Sequence, residues 1–260
     1  MKFQGLVRII SKKEINDEVF TLCVERPKAI ESIKAGQFFN IKTSAYGSPM
    51  LRRPISVSGY DKDSIEFTIK VIGDGTKQLH QYEVDEKIDI MGPLGNGFEY
   101  SNEQEILVIG GGIGIAPVKG LLEVLKRENP NIKVTTILGF KDEPYLEETF
   151  NALSDTLKIV SETDSRYEKG FVTEPLKSII WKPFQMTYAC GPTPMLKAIT
   201  PVLNAAKMPV QLLMEEKMAC GIGACLVCTC KIKEGDFGYK HQRMCKDGPM
   251  FYGSEVIFDA

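Results

Sequence analysis

Residues 105–125, EILVIGGGIGIAPVKGLLEVL, restrict the fold more than any other stretch. The run is apolar enough to be mistaken for a membrane span, yet it holds five glycines, a proline and Lys119. That punctuation reads as a buried strand, a glycine turn and a helix, so no membrane is expected as a partner. A strand passing through glycines into a helix opens a βα unit, and the sequence that follows repeats the alternation. VTTILGF, LKIVSE and MTYACG read as further strands. VKGLLEVLKRENP, FVTEPLKSII and TPMLKAITPVLNAAKM read as the helices between them. Residues 102–213 are therefore expected to form a doubly wound α/β domain.

The two flanks have a different texture. Residues 1–101 contain short alternating runs such as EVFTLCVER, GQFFNIKT, ISVSGY and SIEFTIKVI, separated by Gly, Pro, Asp and Ser. Close spacing of that kind predicts an antiparallel β-barrel or sandwich. Residues 214–260 are short, turn-rich and hold five of the seven cysteines. A segment so small has little core of its own and needs a staple. The apolar stretch near the N-terminus is too short for a signal peptide, so the chain is expected in the cytoplasm, where thiols stay reduced. The cysteines then point to a metal or to catalysis rather than to disulfides. A formal net charge of −2 gives no reason to expect nucleic acid as a partner.

The strand EILVIG runs into GGIGIAPV, a pattern that suits a phosphate cradle. Glycines let the backbone approach a pyrophosphate, and a helix N-terminus offers free N–H groups. The spacing is Gly112-x-Gly114-x-x-Pro117 rather than the usual G-x-G-x-x-G, and glycine turns also serve as plain connectors. Without Gly-Lys-Ser/Thr, an ATP-type P-loop is excluded. LRRPISVSG (51–59) places an arginine at the start of a strand and a serine after it, which suits a flavin; a solvated strand-end charge is the competing reading. Cys190 in YACGPTPM (188–195) ends an apolar strand, where α/β sheets bind ligands. A buried structural thiol is its alternative.

In order, R-x-x-S, Gly73-x-Gly75-Thr76, GPLGNGF, GGGIGIAP and CGPTPM resemble the ferredoxin–NADP reductase superfamily over residues 1 to about 210. The resemblance implies an FAD-binding barrel joined to a nicotinamide domain. It implies that Arg53, Pro54, Ile55 and Ser56 bind FAD, that Thr68, Ile69 and Lys70 line the flavin, and that Gly75 and Thr76 meet its pyrophosphate. Gly110, Gly111, Gly112 and Gly114 would hold the pyrophosphate of NAD. Cys190, Gly191 and Pro192 would lie at the nicotinamide. The acidic pair in Lys141-Asp142-Glu143 suits the ribose hydroxyl of NAD better than a 2′-phosphate. Many members of the superfamily end in an aromatic residue over the flavin, whereas this chain continues into the cysteine segment.

Cys220-x4-Cys225-x2-Cys228 followed by Cys245 has the ligand order of a plant-type [2Fe–2S] cluster. Structural zinc is the competing occupant, since C-x2-C is also a zinc spacing. Cys230 alternates with Leu226, Cys228 and Ile232 and reads as a small apolar core residue. EEKMACGIGACLVCTCK with MCKDGPMF, joined to such a reductase, resembles the family of electron-transfer subunits of NAD-dependent (type B) dihydroorotate dehydrogenases. That resemblance implies a place in de novo pyrimidine (UMP) biosynthesis, with electrons passing through [2Fe–2S] and FAD to NAD+. The implied partner is an FMN-containing catalytic subunit, in a heterotetramer of two of each. Met218, Ile222 and Leu226 are expected on the apolar rim facing it. Two other functions remain open: a reductase serving another acceptor, and a zinc-stapled nucleotide-binding adaptor.

Overall fold

A computed structural model describes residues 2–43, 48–235 and 238–258. The expected limits at residues 1 and 260 lie outside them. The N-terminal strands are β1 (Phe3–Asn16), β2 (Val19–Glu25), β3 (Phe38–Ile41), β4 (Arg53–Ser56), β5 (Gly59–Tyr60), β6 (Ser64–Lys70) and β7 (Lys87–Leu94). They form one antiparallel sheet in the order β4-β3-β7-β1-β2-β6-β5. Its outermost strands, β4 and β5, are consecutive in the chain, and the two residues between them close the sheet. Val57 N–H donates to Gln37 O at 2.9 Å, and Ser58 N–H donates to Glu66 O at 2.9 Å. One stretch is thus bonded to both ends of the sheet, which makes it a barrel and removes most of its open edge. Alternation sends Phe39, Ile41, Phe67, Ile69, Ile88 and Ile90 inward, where all are buried. The region is not wholly β: helix α1 (Asp74–His80) follows β6.

The second sheet is built from β8 (Glu105–Gly111), β9 (Lys133–Phe140), β10 (Thr156–Ser161), β11 (Glu168–Lys169), β12 (Met186–Cys190) and β13 (Val210–Leu213). The helices are α2 (Ile115–Glu128), α3 (Glu147–Leu153), α4 (Thr173–Leu176) and α5 (Thr193–Ala205). The strands run parallel in the order β11-β10-β9-β8-β12-β13. Leu121, Leu122 and Phe150 from α2 and α3 cover one face, and Leu176, Leu196 and Ile199 from α4 and α5 cover the other. The sheet is therefore doubly wound. Helix α3 was not expected from the sequence. FVTEPLKSII, read as a full helix, is helical only over the four residues of α4. Four residues are too few to sustain a helix without tertiary support, and Pro175 and Leu176 supply it by being buried.

The cysteine-rich segment contributes β14 (Thr229–Glu234), β15 (Gly238–Arg243), β16 (Met250–Tyr252) and β17 (Val256–Ile257). Three of these make a small sheet in the order β15-β14-β17. The remaining strand, β16, leaves it and pairs antiparallel with β13, Leu212 opposite Phe251. The segment also borrows its core: Cys228, Cys230, Ile232, Met244 and Cys245 share one apolar cluster with Phe38 and Leu94 of the barrel and Leu212 of the second sheet. Asn96, in the GPLGNGF loop, clamps it further. Its Nδ2 donates to Met250 O at 2.9 Å, and its Oδ1 accepts from Met250 N–H at 3.0 Å.

The barrel and the α/β domain are joined through Lys119 on α2. Only 8% exposed, its Nζ reaches Glu66 on β6 and Glu123 on α2 at 2.8 Å each, and Ser58 O at 3.1 Å.

Candidate functional site

In the second sheet the chain runs outward from β8 through β9 to β10, then returns to place β12 on the other side of β8. The order of strands reverses between β8 and β12, the place where open α/β sheets bind ligands. Both glycine-containing turns lie there. β8 ends in Gly110-Gly111, a single 3-10 turn spans Gly112–Gly114, and α2 begins at Ile115. β12 ends at Cys190, followed by Gly191-Pro192 and the N-terminus of α5.

Absence of side chains brings the two turns together. A Cβ on Gly114 would meet the Cys190 carbonyl oxygen at 2.6 Å, and one on Gly191 would meet Gly111 Cα at 3.2 Å. Gly112 has φ +51 and open space beside it. Gly110 serves another purpose. It is buried under α2, with Ile115 Cγ2 3.0 Å from where its Cβ would stand, so it allows close helix–strand packing rather than ligand contact. The Cys190 thiol is held well above the ordinary value by burial and then by the carboxylate of Glu215. It remains a neutral thiol, fit to line a hydride path and unsuited to nucleophilic attack.

On the barrel, the expected flavin residues fall into two groups. Arg53 at the start of β4 lies against Gly75 in the first turn of α1, with Cζ 2.8 Å from the place of a Cβ on that glycine. Arg53 Nη1 donates to Leu51 O at 2.6 Å, which aims the guanidinium back toward the start of the strand. The first N–H groups of α1 have no intrahelical partner. Guanidinium and helix start together are a match for a pyrophosphate. The hydroxyl of Thr76 is already used, accepting from Ile72 N–H at 2.9 Å and donating to Gly73 O at 3.0 Å.

Thr68 and Ile69 do not present side chains to a flavin. Thr68 Oγ1 is buried in a chain of hydroxyls, 3.1 Å from Thr21 Oγ1 and 3.0 Å from Ser58 Oγ, and Ile69 points into the barrel core. Strand alternation and burial leave only their backbone for that role. Lys70 is half-exposed and pairs with Glu18 at 3.0 Å.

The four expected metal ligands fall into two pairs. Cys225 N–H donates to Cys220 Sγ at 3.4 Å, and their side chains also interact. Cys228 and Cys245, both buried, share a side-chain hydrogen bond. Burial works against ionising Cys220, but the N–H groups of Ile222, Cys225 and Ala224 turn toward its sulfur and bring it down to about 6. Cys245 is pushed up to about 12 by burial and by Cys228. Two thiols per pair suit a binuclear cluster, in which each iron takes two protein ligands. Among the described residues no three His, Cys, Asp or Glu groups converge on one ion.

Glycine shapes the loop, with φ +69 at Gly221 and +85 at Gly223. Leu226 also takes φ +60 and is 61% exposed, so it does not share the face of Cys228, Cys230 and Ile232. Cys230 is buried beside Ile232 and held up to about 12 by burial and Glu216, as an apolar core residue would be. Of the expected rim, Ile222 and Leu226 are exposed with Val227, while Met218 packs on the core. Sequence reasoning missed Asn96 and Lys119 as docking residues; GPLGNGF was visible as a motif without a role.

Three family models match: an oxidoreductase FAD-binding domain over residues 6–100, an oxidoreductase NAD-binding domain over 108–200, and the iron–sulfur cluster binding domain of dihydroorotate dehydrogenase B over 215–257. The dihydroorotate dehydrogenase B (NAD(+)) electron transfer subunit of Caldanaerobacter subterraneus subsp. tengcongensis is 38% identical over 258 residues, covering 99% of this chain and 100% of that protein. Its counterpart in Clostridium perfringens is 38% identical over 259 residues, covering 98% of each. A solved NADH-dependent reduced ferredoxin–NADP oxidoreductase superposes with TM-score 0.84 at 27% identity, covering 99% of this chain and 91% of that one. The flavohem-like FAD/NAD-binding domain of a Vibrio cholerae nitric oxide dioxygenase shares the fold, with TM-score 0.69 at 18% identity over 79% of this chain and 95% of that one. The iron–sulfur match decides against zinc, and no helix among the described residues is long and apolar enough to cross a membrane.

Proposed function

This chain belongs to the family of electron-transfer subunits of NAD-dependent dihydroorotate dehydrogenase B, and on that footing we propose that it takes electrons from an FMN-containing catalytic subunit and delivers them to NAD+. The catalytic subunit oxidises dihydroorotate, in the cytoplasmic synthesis of UMP, and the working unit is a heterotetramer of two of each. When bound, a [2Fe–2S] cluster passes electrons singly, NAD+ accepts two as a hydride, and FAD converts between the two regimes.

The residues divide the work. Cys220, Cys225, Cys228 and Cys245 hold the cluster, with the loop N–H groups stabilising thiolate at Cys220. Arg53, Gly75 and Thr76 bind the FAD pyrophosphate, while Pro54, Ile55, Ser56 and the backbone of Thr68–Lys70 shape the ring site. Gly111, Gly112, Gly114, Gly191 and Pro192 form the NAD site at the strand reversal, with Cys190 at the hydride path. NAD is favoured over NADP because Arg166, beside the acidic pair, is already paired with Glu143 at 2.8 Å and with Asp164 at 2.6 Å. It has little positive charge left for a 2′-phosphate.

The observation that carries the relay is the placement of the cysteine loop. Gly221 rests on the barrel at Asn40, while Cys225 is exposed and flanked by exposed Ile222, Leu226 and Val227. One end of the loop meets the flavin domain and the other is open to a partner. A reductase serving another acceptor is the second reading. The full-length likeness to the NADH-dependent ferredoxin–NADP oxidoreductase supports it, at lower identity than the dihydroorotate dehydrogenase relatives.

The test is steady-state NADH formation from dihydroorotate with each component omitted in turn. The isolated chain is expected to reduce dyes with NADH and to leave dihydroorotate untouched. Adding the FMN subunit creates dihydroorotate:NAD+ activity. Dihydroorotate oxidation by this chain alone would refute the reading.

A further inference from the structure

Asn40 stands in the middle of β3, where alternation sends Phe39 and Ile41 into the barrel and Asn40, with Phe38, outward. Its Cα neighbours are Pro54 on the expected flavin strand β4 and Met91 on β7. The residue is 1% exposed, and neither Nδ2 nor Oδ1 of its carboxamide has a hydrogen-bond partner. The nearby Arg52 does not supply one. Its guanidinium bonds to Asp89 and to the backbone carbonyl of Asn40. A buried carboxamide with both ends unpaired is costly, and a fold keeps one where something else completes it.

What lies against Asn40 is the cysteine loop. A Cβ on Gly221 would overlap Nδ2 and stand 3.0 Å from Cγ. Gly221 adjoins Cys220, the sulfur toward which three loop N–H groups already turn. Thiolate and sulfide sulfurs in a cluster accept hydrogen bonds and cannot donate them. The carboxamide end suited to them is the NH2, and Nδ2 is the atom on the loop side.

We propose that the Asn40 side chain donates a hydrogen bond to a sulfur on the Cys220 side of the cluster and thereby raises its reduction potential. The proposal rests on the assignment of the four cysteines to a [2Fe–2S] cluster. Reduction adds negative charge to the cluster, so a donor to sulfur favours the reduced form. The donor comes from the flavin-binding domain rather than from the loop itself. The cluster's potential therefore depends on the barrel being docked against it.

The test uses the full chain loaded with FAD and cluster, labelled with 15N-asparagine. Pulsed EPR of the dithionite-reduced protein is expected to show a 15N coupling that disappears in Asn40→Leu. Redox titration is expected to give Asn40→Leu and Asn40→Asp a lower cluster midpoint, by about tenfold in the one-electron equilibrium or roughly 59 mV. The FAD midpoint stays where it is in the wild type. The isotope measurement is made on the wild-type protein, so it stands even if a variant misfolds. A wild-type cluster without that coupling, an unmoved cluster midpoint in Asn40→Leu, or a shift confined to FAD overturns this inference alone. A wild-type chain that holds no cluster overturns the cysteine assignment as well.

Discussion

Arg53 lies flush on Gly75: the guanidinium carbon is 2.8 Å from where a Cβ on that glycine would stand. The contact joins the first strand of LRRPISVSG to the first turn of a helix 22 residues later in the chain. It predicts that two different substitutions give one defect. Arg53→Ala removes a charge-assisted contact of about 1.5–3 kcal/mol, roughly tenfold or more in FAD affinity. Gly75→Ala pushes the intact guanidinium away and weakens FAD in the same direction. Fluorescence titration of the apoprotein measures both, and unchanged affinity in Arg53→Ala would return that residue to a surface charge.

Cys225→Ser is expected to lose iron and acid-labile sulfide while keeping FAD, because the cysteine loop and the Arg53 cradle are separate structures. In the complex it abolishes dihydroorotate:NAD+ activity. Cys230→Ser keeps the cluster, since its thiol is buried in the apolar core beside Ile232. Equal iron loss in the two variants would mean that the ligand set has been misassigned.

Asn96→Ala removes the side-chain bonds to Asp247 O, Met250 O and Met250 N–H. Leaving those backbone groups unpaired costs about 1–3 kcal/mol. The expected result is a C-terminal segment that is cut sooner by protease and a cluster that bleaches faster in air, with FAD content unchanged. Loss of FAD in parallel would place Asn96 in the barrel's own stability instead.

Lys119 gives the pH dependence. Burial lowers its pKa, but Glu66 and Glu123 outweigh that and leave it above the ordinary lysine value of 10.5. A raised pKa means that the contribution to stability is complete below about pH 10.5 and lost as pH rises through the higher folded value. Lys119→Met is expected to cost about 1–3 kcal/mol, less than a fully buried pair because both carboxylates are about one-third exposed. The Tm difference from wild type should stay constant between about pH 7 and 10 and shrink above that range. A difference that grows with pH would contradict the assignment.

The sequence by itself determined the parts that depend on local pattern. Strand–glycine–helix punctuation at 105–125 specified the βα unit, alternation specified the β-rich first hundred residues, and the spacing of Cys220, Cys225 and Cys228 specified a loop able to surround a metal centre. Each signal lies within about twenty residues and follows from backbone geometry: period two for strands, period 3.6 for helices, and glycine where φ is positive. Tertiary structure alone decided what depends on distant segments meeting. The hydroxyl of Thr68 bonds to Thr21 and Ser58, and α2 packs on Gly110, contacts that no local pattern around either residue announces. Strand β16 left the cysteine segment to edge the second sheet because a fragment that small gains more burial there than alone. The contact of Asn40 with Gly221 spans 181 positions of sequence, and no local pattern can encode it, because burial is a property of the whole folded surface.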